Sequence, residues 1–321
     1  MGATITVGSR VYVAGHRGLV GSALVRKLNS AGIEPIVRTR QQLDLLDQAA
    51  VHRFFRDEKI EFAFIAAARV GGIIANATQQ ADFLYANLVI ATNTIHAAFL
   101  ANTEKLLFLG SSCIYPRMAP QPIHEDSLLS GPLESTNEGY AIAKIAGLKL
   151  CEMYQRQYGR RFISAMPTNL YGPYDNFHPT QSHVIPGMMR RFHEARESST
   201  PQVSVWGTGK ARREFLHVDD LADALFLLMQ NYEGPQTINV GAGDDVTIAE
   251  LAQTMKDVVE YDGQLTFDVS KPDGTPRKLL DSGKILSMGW RPKHTLREGL
   301  ESTYRWALDQ GVFRVTNAVG G

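Results

Sequence analysis

The sequence predicts an α/β protein built on a doubly wound parallel sheet, with a smaller α/β substrate domain. Three observations predict this fold class. Short apolar runs alternate with segments of helical periodicity through the first 173 residues. The first apolar run ends in three glycines, Gly15, Gly18 and Gly21, at the opening of a helix, which is typical of a Rossmann-type sheet. After Pro173 the composition changes, and residues 174–213 are loop-rich with scattered basic side chains.

Composition sets limits on the class of protein. The chain has 321 residues and is 44% hydrophobic, which is enough to bury a large core. Its 33 basic and 33 acidic residues balance, and without a basic block we expect no binding to nucleic acid. The two cysteines, Cys113 and Cys151, form neither a disulfide framework nor a zinc motif, so no metal site is expected. No apolar run is expected to reach the length of a membrane span, and the sequence predicts a cytoplasmic protein.

The glycine turn predicts a nucleotide site. Val11–Ala14 forms a buried strand, and apolar residues recur at helical spacing from Leu19 and Val20 onward. Glycines at this corner permit a tight turn, and the free N–H groups of the helix N-terminus face phosphates; an ordinary tight turn is the alternative. The spacing Gly-x-x-Gly-x-x-Gly resembles the extended short-chain dehydrogenase/reductase superfamily. Within the turn lies His16, and Arg17 is placed to contact the 2′-phosphate of NADP.

The second predicted strand, residues 34–38, favours NADP over NAD. NAD enzymes usually have an acidic residue at its end, whereas this chain has Arg38 and Arg40. Guanidinium groups suit a 2′-phosphate, with Arg38 the less certain contact. The superfamily resemblance implies an adenine-edge contact for Asp44, and Asp47 is predicted to cap the following helix.

The remaining elements follow in order. The patterns predict helices over 48–59, 82–101 and 139–158, strands over 62–68, 105–110, 162–166, 203–206 and 237–240, a helix after residues 214–223, and an amphipathic helix, a strand near Leu265 and a final helix beyond residue 246. We therefore assign residues 1–173 to a nucleotide-binding domain to which 214–243 return. Residues 174–213 and 244–314 form the substrate domain, and 315–321 are predicted to fray.

A tyrosine and a lysine one helical turn apart predict a reductase site. Tyr140 and Lys144 lie at i and i+4 on one helix face. A lysine ammonium about 4 Å away stabilises the phenolate by roughly 4 kcal/mol at an effective dielectric of about 20, which predicts a Tyr140 pKa lowered toward neutrality. Ser111 is placed to hydrogen-bond the same substrate carbonyl. In extended backbone Cys113 points to the same side as Ser111, although a small buried residue is the ordinary role of a free cysteine.

Two histidines compete for a role in proton transfer. His183 lies where the chain enters the small domain, and His178 lies in the same loop. Histidine is suited to proton transfer near neutral pH.

Longer motifs resemble one family, the GDP-L-fucose synthases. They are Gly15–Gly21, Gly110–Pro116, Thr136–Lys144, Met166–Pro173, Asn176–Pro186, Arg213–Asp220 and Lys271–Lys278. The match covers nearly the whole chain. It implies conversion of GDP-4-keto-6-deoxy-D-mannose to GDP-L-fucose with NADPH, in two epimerisations and one reduction.

The resemblance also implies roles for individual residues. Ser111, Tyr140 and Lys144 match the reductase residues, and Cys113 and His183 match the base and acid of epimerisation. The residues that match the family's substrate-binding positions are Arg191, Trp206, Arg213, Asp273 and Lys278. The resemblance also implies a set of cofactor-binding residues. They are the turn Gly15, His16, Arg17, Gly18, Leu19, Val20 and Gly21, together with Arg40, Asp44, Leu109, Gly110, Ser111, Lys144, Pro167, Asn169, Leu170 and His183.

Three other functions remain open at this point. A nucleotide-sugar 4-epimerase or a 4,6-dehydratase would use the same sheet and Tyr/Lys pair, but a dehydratase would carry acidic residues where this chain has Cys113 and Ile114. A non-catalytic NADP sensor would not need Tyr140, Lys144 and Cys113 together. The apolar helices 82–101 and 139–158 further predict a homodimer through a four-helix interface.

Overall fold

Strands and helices alternate along most of the chain in the computed structural model, which describes residues 4–271 and 273–314. The strands are β1 (Val11–Ala14), β2 (Phe62–Ile65), β3 (Lys105–Leu109), β4 (Arg161–Pro167), β5 (Asn169–Tyr171), β6 (Gln202–Trp206), β7 (Arg212–Arg213), β8 (Phe215–His217), β9 (Ile238–Val240), β10 (Val246–Thr247), β11 (Gln264–Asp268) and β12 (Arg277–Lys278). The helices are α1 (Leu19–Ser30), α2 (Gln48–Asp57), α3 (Ile73–Thr78), α4 (Gln80–Leu100), α5 (Glu138–Tyr158), α6 (Val184–Glu197), α7 (Val218–Asn231), α8 (Ile248–Val259), α9 (Gly283–Ser287) and α10 (Leu296–Asp309).

Five parallel strands form the main sheet in the order β1-β2-β3-β4-β9. One apolar cluster packs α1 and α7 on one face, and a second packs α2, α4 and α5 on the other. Because both faces are covered, the strands read as continuous apolar runs rather than alternating ones. The predicted doubly wound parallel sheet is confirmed.

The predicted second strand is reduced to one bridge. Ile36 pairs with Tyr12 in parallel, through hydrogen bonds from Ile36 N to Val11 O at 2.7 Å and from Val13 N to Ile36 O at 3.0 Å. The strand predicted over residues 34–38 extends no further, and Ile36 is the residue of this stretch that pairs with β1.

This bridge fixes the direction of the chain across the sheet. From β1 the chain passes to Ile36 on one side and then returns to β2 on the other side of β1. Open α/β sheets bind ligands in the crevice at such a reversal, beyond the carboxyl ends of the strands. The carboxyl end of β1 is the glycine turn.

α4 differs from the expectation about apolar runs. Its mean hydropathy of 1.4 and its length would by themselves allow it to cross a membrane, so the prediction that no run reaches span length is wrong for this helix. Half of its most apolar 18-residue stretch is buried in the fold, where α4 packs against α2 and α5. A helix in the core of a folded protein can have the same length and hydropathy.

A third apolar cluster lies outside the main sheet. It joins α6, α8 and α10 to the parallel pair β6 and β11, with Phe192, Leu251 and Leu300 fully buried. A small sheet in the order β10-β7-β12 is formed by segments adjacent in sequence to these elements: β7 follows β6, β10 precedes α8 and β12 follows β11. One stretch departs from the predicted division, because Leu280, Ile285 and Trp290 belong to the two clusters of the main sheet, where α9 packs on β9. The predicted fraying of 315–321 concerns residues outside those described.

Candidate active site

The glycine turn after β1 is shaped to admit a phosphate group. Gly15 has φ +81°, a left-handed conformation. A Cβ on Gly21 would lie 2.0 Å from the Gly15 carbonyl oxygen, so only glycine lets α1 approach the turn this closely. No side chain caps α1 at Gly18, and its first N–H groups, including those of Leu19 and Val20, have no partner within the helix. The turn therefore fits the pyrophosphate of a dinucleotide.

The basic residues near this turn differ in their surroundings. Arg17 is exposed, and Arg40 is exposed with its Nε 3.5 Å from Asp44 Oδ2. Arg38 is instead engaged with the protein: it forms an ion pair with Glu58, and its guanidinium lies over the Phe54 ring at 5.3 Å. Arg17 and Arg40 can therefore turn toward a 2′-phosphate, whereas Arg38 stabilises the fold.

Neighbouring polar residues mainly shape the loops. Asp44 Oδ1 accepts from Leu46 N at 3.0 Å, and Asp47 caps α2 by accepting from Ala50 N at 3.0 Å, as predicted for the cap. Burial lowers the pKa of His16, assisted by the charge of Arg17.

Ser111 and Cys113 meet just beyond β3. The Ser111 Oγ lies 3.0 Å from the Cys113 Sγ. The extended backbone expected here is wrong, because residues 112–114 form a single 3-10 turn that Ser111 caps by accepting from Cys113 N. The turn nevertheless brings the two side chains together, which extended geometry was expected to do. Cys151, in contrast, is buried on α5, and burial raises the pKa of its thiol.

Tyr140 and Lys144 project from α5 toward the same turn. Lys144 is 3% exposed and donates from Nζ to Leu109 O at 2.7 Å, with its Nζ 5.8 Å from the centre of the Tyr140 ring. Burial lowers the Lys144 pKa to about 8, and a thiolate at Cys113 would oppose that shift.

The expected lowering of the Tyr140 pKa is wrong for the protein alone. Burial raises that pKa, Cys113 raises it further, and the hydrogen bond with Ser111 lowers it. The main physical reason is burial of the phenol. The Lys144 ammonium donates to Leu109 O, the last carbonyl of β3.

The predicted cofactor residues beyond β3 and β4 lie at the same edge of the sheet. A Cβ on Gly110 would lie 2.7 Å from Met166 Sδ, so the chain passes closely over β4. Pro167 ends β4, Asn169 donates from Nδ2 to Glu214 O at 2.8 Å, and Leu170 packs against the first cluster. These residues continue the crevice that starts at Gly15.

Arg213 and Lys278 extend the site into the small sheet. They are register partners on β7 and β12. Burial lowers the pKa of each, and a thiolate at Cys113 would oppose this shift at Lys278. Lys278 therefore lies close enough to Cys113 for the two side chains to interact electrostatically.

Glu214 is a supporting residue without a role in the sequence-based prediction. It is fully buried and accepts from Gly243 N at 2.9 Å and Leu280 N at 3.0 Å. It thereby ties β7 to the chain segments that follow β9 and β12. The acidic residue between Arg213 and the apolar strand β8 was the available signal.

The other predicted substrate residues are more open. Trp206 is 61% exposed, with Lys271 Nζ 5.8 Å from its ring centre. Asp273 binds Thr208, accepting from its N at 2.6 Å and its Oγ1 at 2.8 Å. Burial lowers the pKa of Arg191, whose Nη1 donates to Ser204 O at 3.1 Å.

His183 and His178 have different neighbours in the structure. His178 stays in its own turn, where its Nδ1 accepts from Thr180 N at 3.2 Å. His183 precedes α6, and its Nδ1 lies 3.8 Å from the buried Asp175 Oδ1. The loop of His183 approaches the start of α3 at Gly72, where a Cβ would lie 3.3 Å from Gln181 O. His183 thus differs from His178 in having a buried carboxylate beside it, and Asp175 is a residue that the sequence-based analysis missed.

The arrangement combines two kinds of chemistry. Ser111 and Tyr140 supply hydroxyl donors for a carbonyl oxygen, and Lys144 supplies a cation beneath them. Cys113 is a candidate base beside that carbonyl, since its thiolate would face the cations Lys144 and Lys278. A ketone held here can be both enolised and reduced.

Known proteins resemble the chain over nearly its whole length. The profile of the NAD dependent epimerase/dehydratase family matches residues 11–241, from β1 to just after β9. The chain is 60% identical over 304 residues to the probable GDP-L-fucose synthase 1 of Oryza sativa subsp. japonica, covering 94% of this chain and 93% of the relative. It is 57% identical over 310 residues to the GDP-L-fucose synthase of Escherichia coli (strain K12), covering 94% and 97%.

A solved structure shares the fold. The GDP-mannoheptose C4 reductase from Campylobacter jejuni with NADP bound matches with a TM-score of 0.88 and 40% identity, over 95% of this chain and 99% of that one. The family resemblance read from the motifs is thus confirmed. The chain belongs to the NAD dependent epimerase/dehydratase family and, within it, to the GDP-L-fucose synthases.

Proposed function

We propose that the protein converts GDP-4-keto-6-deoxy-D-mannose to GDP-L-fucose by inverting C3 and C5 and then reducing C4 with NADPH. The observation that carries this is the 3.0 Å contact between Ser111 Oγ and Cys113 Sγ. It unites a residue that polarises the ketone with a base for the adjacent carbons. The 60% and 57% identical relatives named as GDP-L-fucose synthases support the same substrate.

Both inversions depend on the C4 ketone. C3 and C5 flank this carbonyl, so each C–H proton is acidified by it. The Cys113 thiolate removes the proton, the electron pair moves into the enolate, and Ser111 and Tyr140 donate hydrogen bonds to the enolate oxygen. His183 then protonates the carbon from the opposite face. One cysteine–histidine pair serves both carbons if the sugar turns in the pocket.

Reduction comes last because it removes the ketone that both inversions need. When bound, NADPH supplies the hydride for C4. Tyr140 gives its proton to the developing alkoxide, and Lys144 stabilises the resulting phenolate. The glycine turn fits the cofactor pyrophosphate.

We assign the sugar nucleotide to the side of the crevice formed by the third cluster and the small sheet. Arg213 and Lys278 are placed for the diphosphate, and Arg191, Trp206 and Asp273 for the rest of the nucleotide. The main sheet, residues 1–173 with 214–243, takes the cofactor. We further propose a cytoplasmic homodimer, since the thiols of Cys113 and Cys151 are free and the outer faces of α4 and α5 expose large apolar side chains.

The experiment follows NADPH oxidation and deuterium uptake with the GDP-keto sugar. The wild type should oxidise NADPH, whereas Tyr140→Phe should nearly lose this activity because the alkoxide lacks its proton donor. With oxidised cofactor in heavy water, mass spectrometry should show exchange at C3 and C5 for the wild type. Cys113→Ser should keep cofactor binding but lose most exchange, because a hydroxyl is a poor base at neutral pH.

The same measurements distinguish the competing functions. A 4-epimerase would consume no net NADPH. A C4 reductase would oxidise NADPH without exchange at either carbon. Full exchange in Cys113→Ser would overturn the role given to the thiol, and Cys151→Ser is the matched control because that thiol lies in the core.

A further inference from the structure

We propose that Asp175 is a positioning residue that holds the His183 imidazole by its Nδ1 side and leaves Nε2 to deliver the proton to the sugar. The proposal rests on the proposed function, in which His183 is the acid. Asp175 lies at the start of the loop between β5 and α6, eight residues before His183.

Asp175 has a buried carboxylate, one oxygen of which accepts no hydrogen bond from the described residues. Its side chain is 4% exposed. Oδ1 accepts from Asn176 N at 2.7 Å and lies 3.8 Å from His183 Nδ1. Oδ2 is buried and has no hydrogen-bond partner among the described residues. An uncompensated buried carboxylate is costly, so a cation at His183 is the compensation that this geometry offers.

The backbone before Asp175 holds it in this place. Tyr174 has φ +69°, a left-handed conformation that non-glycine residues rarely adopt. Its ring is anchored between Trp306, with ring centres 5.0 Å apart, and the Arg26 guanidinium at 5.7 Å. Asp175 N donates to Gly172 O at 3.3 Å. The strained turn thus directs the carboxylate inward.

The arginines of α6, the helix that His183 precedes, are bound to other groups. Arg190 donates to Phe177 O and Val312 O, and Arg191 donates to Ser204 O. His178 remains bound to Thr180. The His183 side chain does not cap α6, so its ring is not held by the helix it precedes.

The electrostatics agree with this geometry. Asp175 raises the pKa of His183, although burial opposes the shift. At 3.8 Å the two groups are too far apart for a direct hydrogen bond but lie within ion-pair distance when the imidazole is protonated. Orientation by Asp175 matters because an acid must reach the sugar face opposite Cys113, and a freely rotating ring would present either nitrogen.

The first test measures the histidine without substrate. In protein with isotope-labelled histidine, NMR titration should give a lower His183 pKa in Asp175→Asn than in the wild type; loss of one signal in His183→Gln assigns the resonance. Asp57→Asn is the control: this exposed residue ends α2 just before β2, at the amino edge of the main sheet, so the variant removes one negative charge away from this loop and should leave the titration unchanged.

The second test follows exchange at C3 and C5 against pH. Removing the carboxylate lowers the His183 pKa, so the acid form is lost at lower pH and the alkaline limit of exchange should move down. At neutral pH the exchange rate should fall roughly tenfold or more. This is part of the about 10²–10⁴-fold acceleration that a positioned acid supplies. Asp175→Glu keeps the charge and should recover part of the rate and of the pKa. NADPH binding should be unchanged in both variants.

The outcomes separate the two proposals. An unaltered His183 titration in folded Asp175→Asn overturns the role of Asp175. If that variant unfolds, Asp175→Ser takes its place, because the hydroxyl can still accept from Asn176 N but carries no charge. An unaltered His183 titration in that variant overturns the role of Asp175 equally. A shifted titration with no exchange in the wild type supports the ion pair but overturns the proposed epimerisation.

Discussion

The three arginines near the nucleotide turn differ in exposure and in the contacts they make. Arg17 and Arg40 are exposed, whereas Arg38 is paired with Glu58 and stacked on Phe54. Hydrogen bonds to charged groups are worth about 1.5–3 kcal/mol. Replacing both Arg17 and Arg40 by alanine should therefore raise the KM for NADPH at least tenfold and change that for NADH little.

Steady-state kinetics with both cofactors measures this discrimination. Arg38→Ala is the control, because it should lower thermal stability without changing the ratio of the two KM values. Equal losses with NADPH and NADH in the double variant would mean that these arginines hold the pyrophosphate or the fold.

Single residues also show where prediction from sequence reaches its limit. Ser111, Cys113, Tyr140 and Lys144 could be found because short motifs carry them at fixed spacing. Asp175 could not, since its role depends on a left-handed Tyr174 and on burial, neither of which a spacing expresses. The direction of the Tyr140 pKa was missed for a related reason. The i, i+4 spacing places Lys144 near, but only the fold shows that the phenol is buried and that the ammonium donates to Leu109 O.

Among the elements, the strands and helices of the main sheet follow their sequence patterns closely. The exception is the stretch at residues 34–38, where Ile36 forms a single bridge to β1. The apolar pattern describes side chains, whereas the length of a strand also depends on backbone pairing that the pattern does not express.

The junction of β1 and α1 gives a test at the scale of elements. Gly21→Ala would place a Cβ 2.0 Å from Gly15 O, whereas Gly18→Ala would place one at 3.5 Å, an ordinary contact. We expect Gly21→Ala to lower the free energy of unfolding by about 1–3 kcal/mol, the usual cost of overpacking, and to weaken NADPH binding. Gly18→Ala should be close to the wild type in stability.

Thermal and denaturant unfolding of the two variants without cofactor provides the comparison. A Gly21→Ala protein as stable as Gly18→Ala would show that α1 shifts freely, and the close packing of turn and helix would then have no energetic role.

For the whole molecule, the outer faces of α4 and α5 predict assembly. Tyr85 is 66% exposed and Met153 is 44% exposed, and the two helices pack against each other. Pairing both helices with those of a second copy would bury these side chains. Sedimentation equilibrium at micromolar concentration should give twice the 35.5 kDa chain mass.

Charge placed on this face should dissociate the pair. Tyr85→Glu with Met153→Glu is expected to sediment as a single chain, because burying two carboxylates is costly. Met118→Glu is the control, since Met118 is 79% exposed on a loop outside both helices. A wild type of 35.5 kDa would reject the four-helix interface.

In the proposed mechanism, the contact between Ser111 and Cys113 also governs the purity of the product. Because the base and the ketone-binding hydroxyl touch, inversion and hydride transfer draw on one bound carbonyl and compete for it. The stereochemistry of the released sugar is then a kinetic partition, set by how many inversions occur before the first hydride arrives. A change that slows Cys113 and spares Tyr140 would yield the C4-reduced sugar of the original configuration, and the ratio of the two products would read out the rates of the two half-reactions.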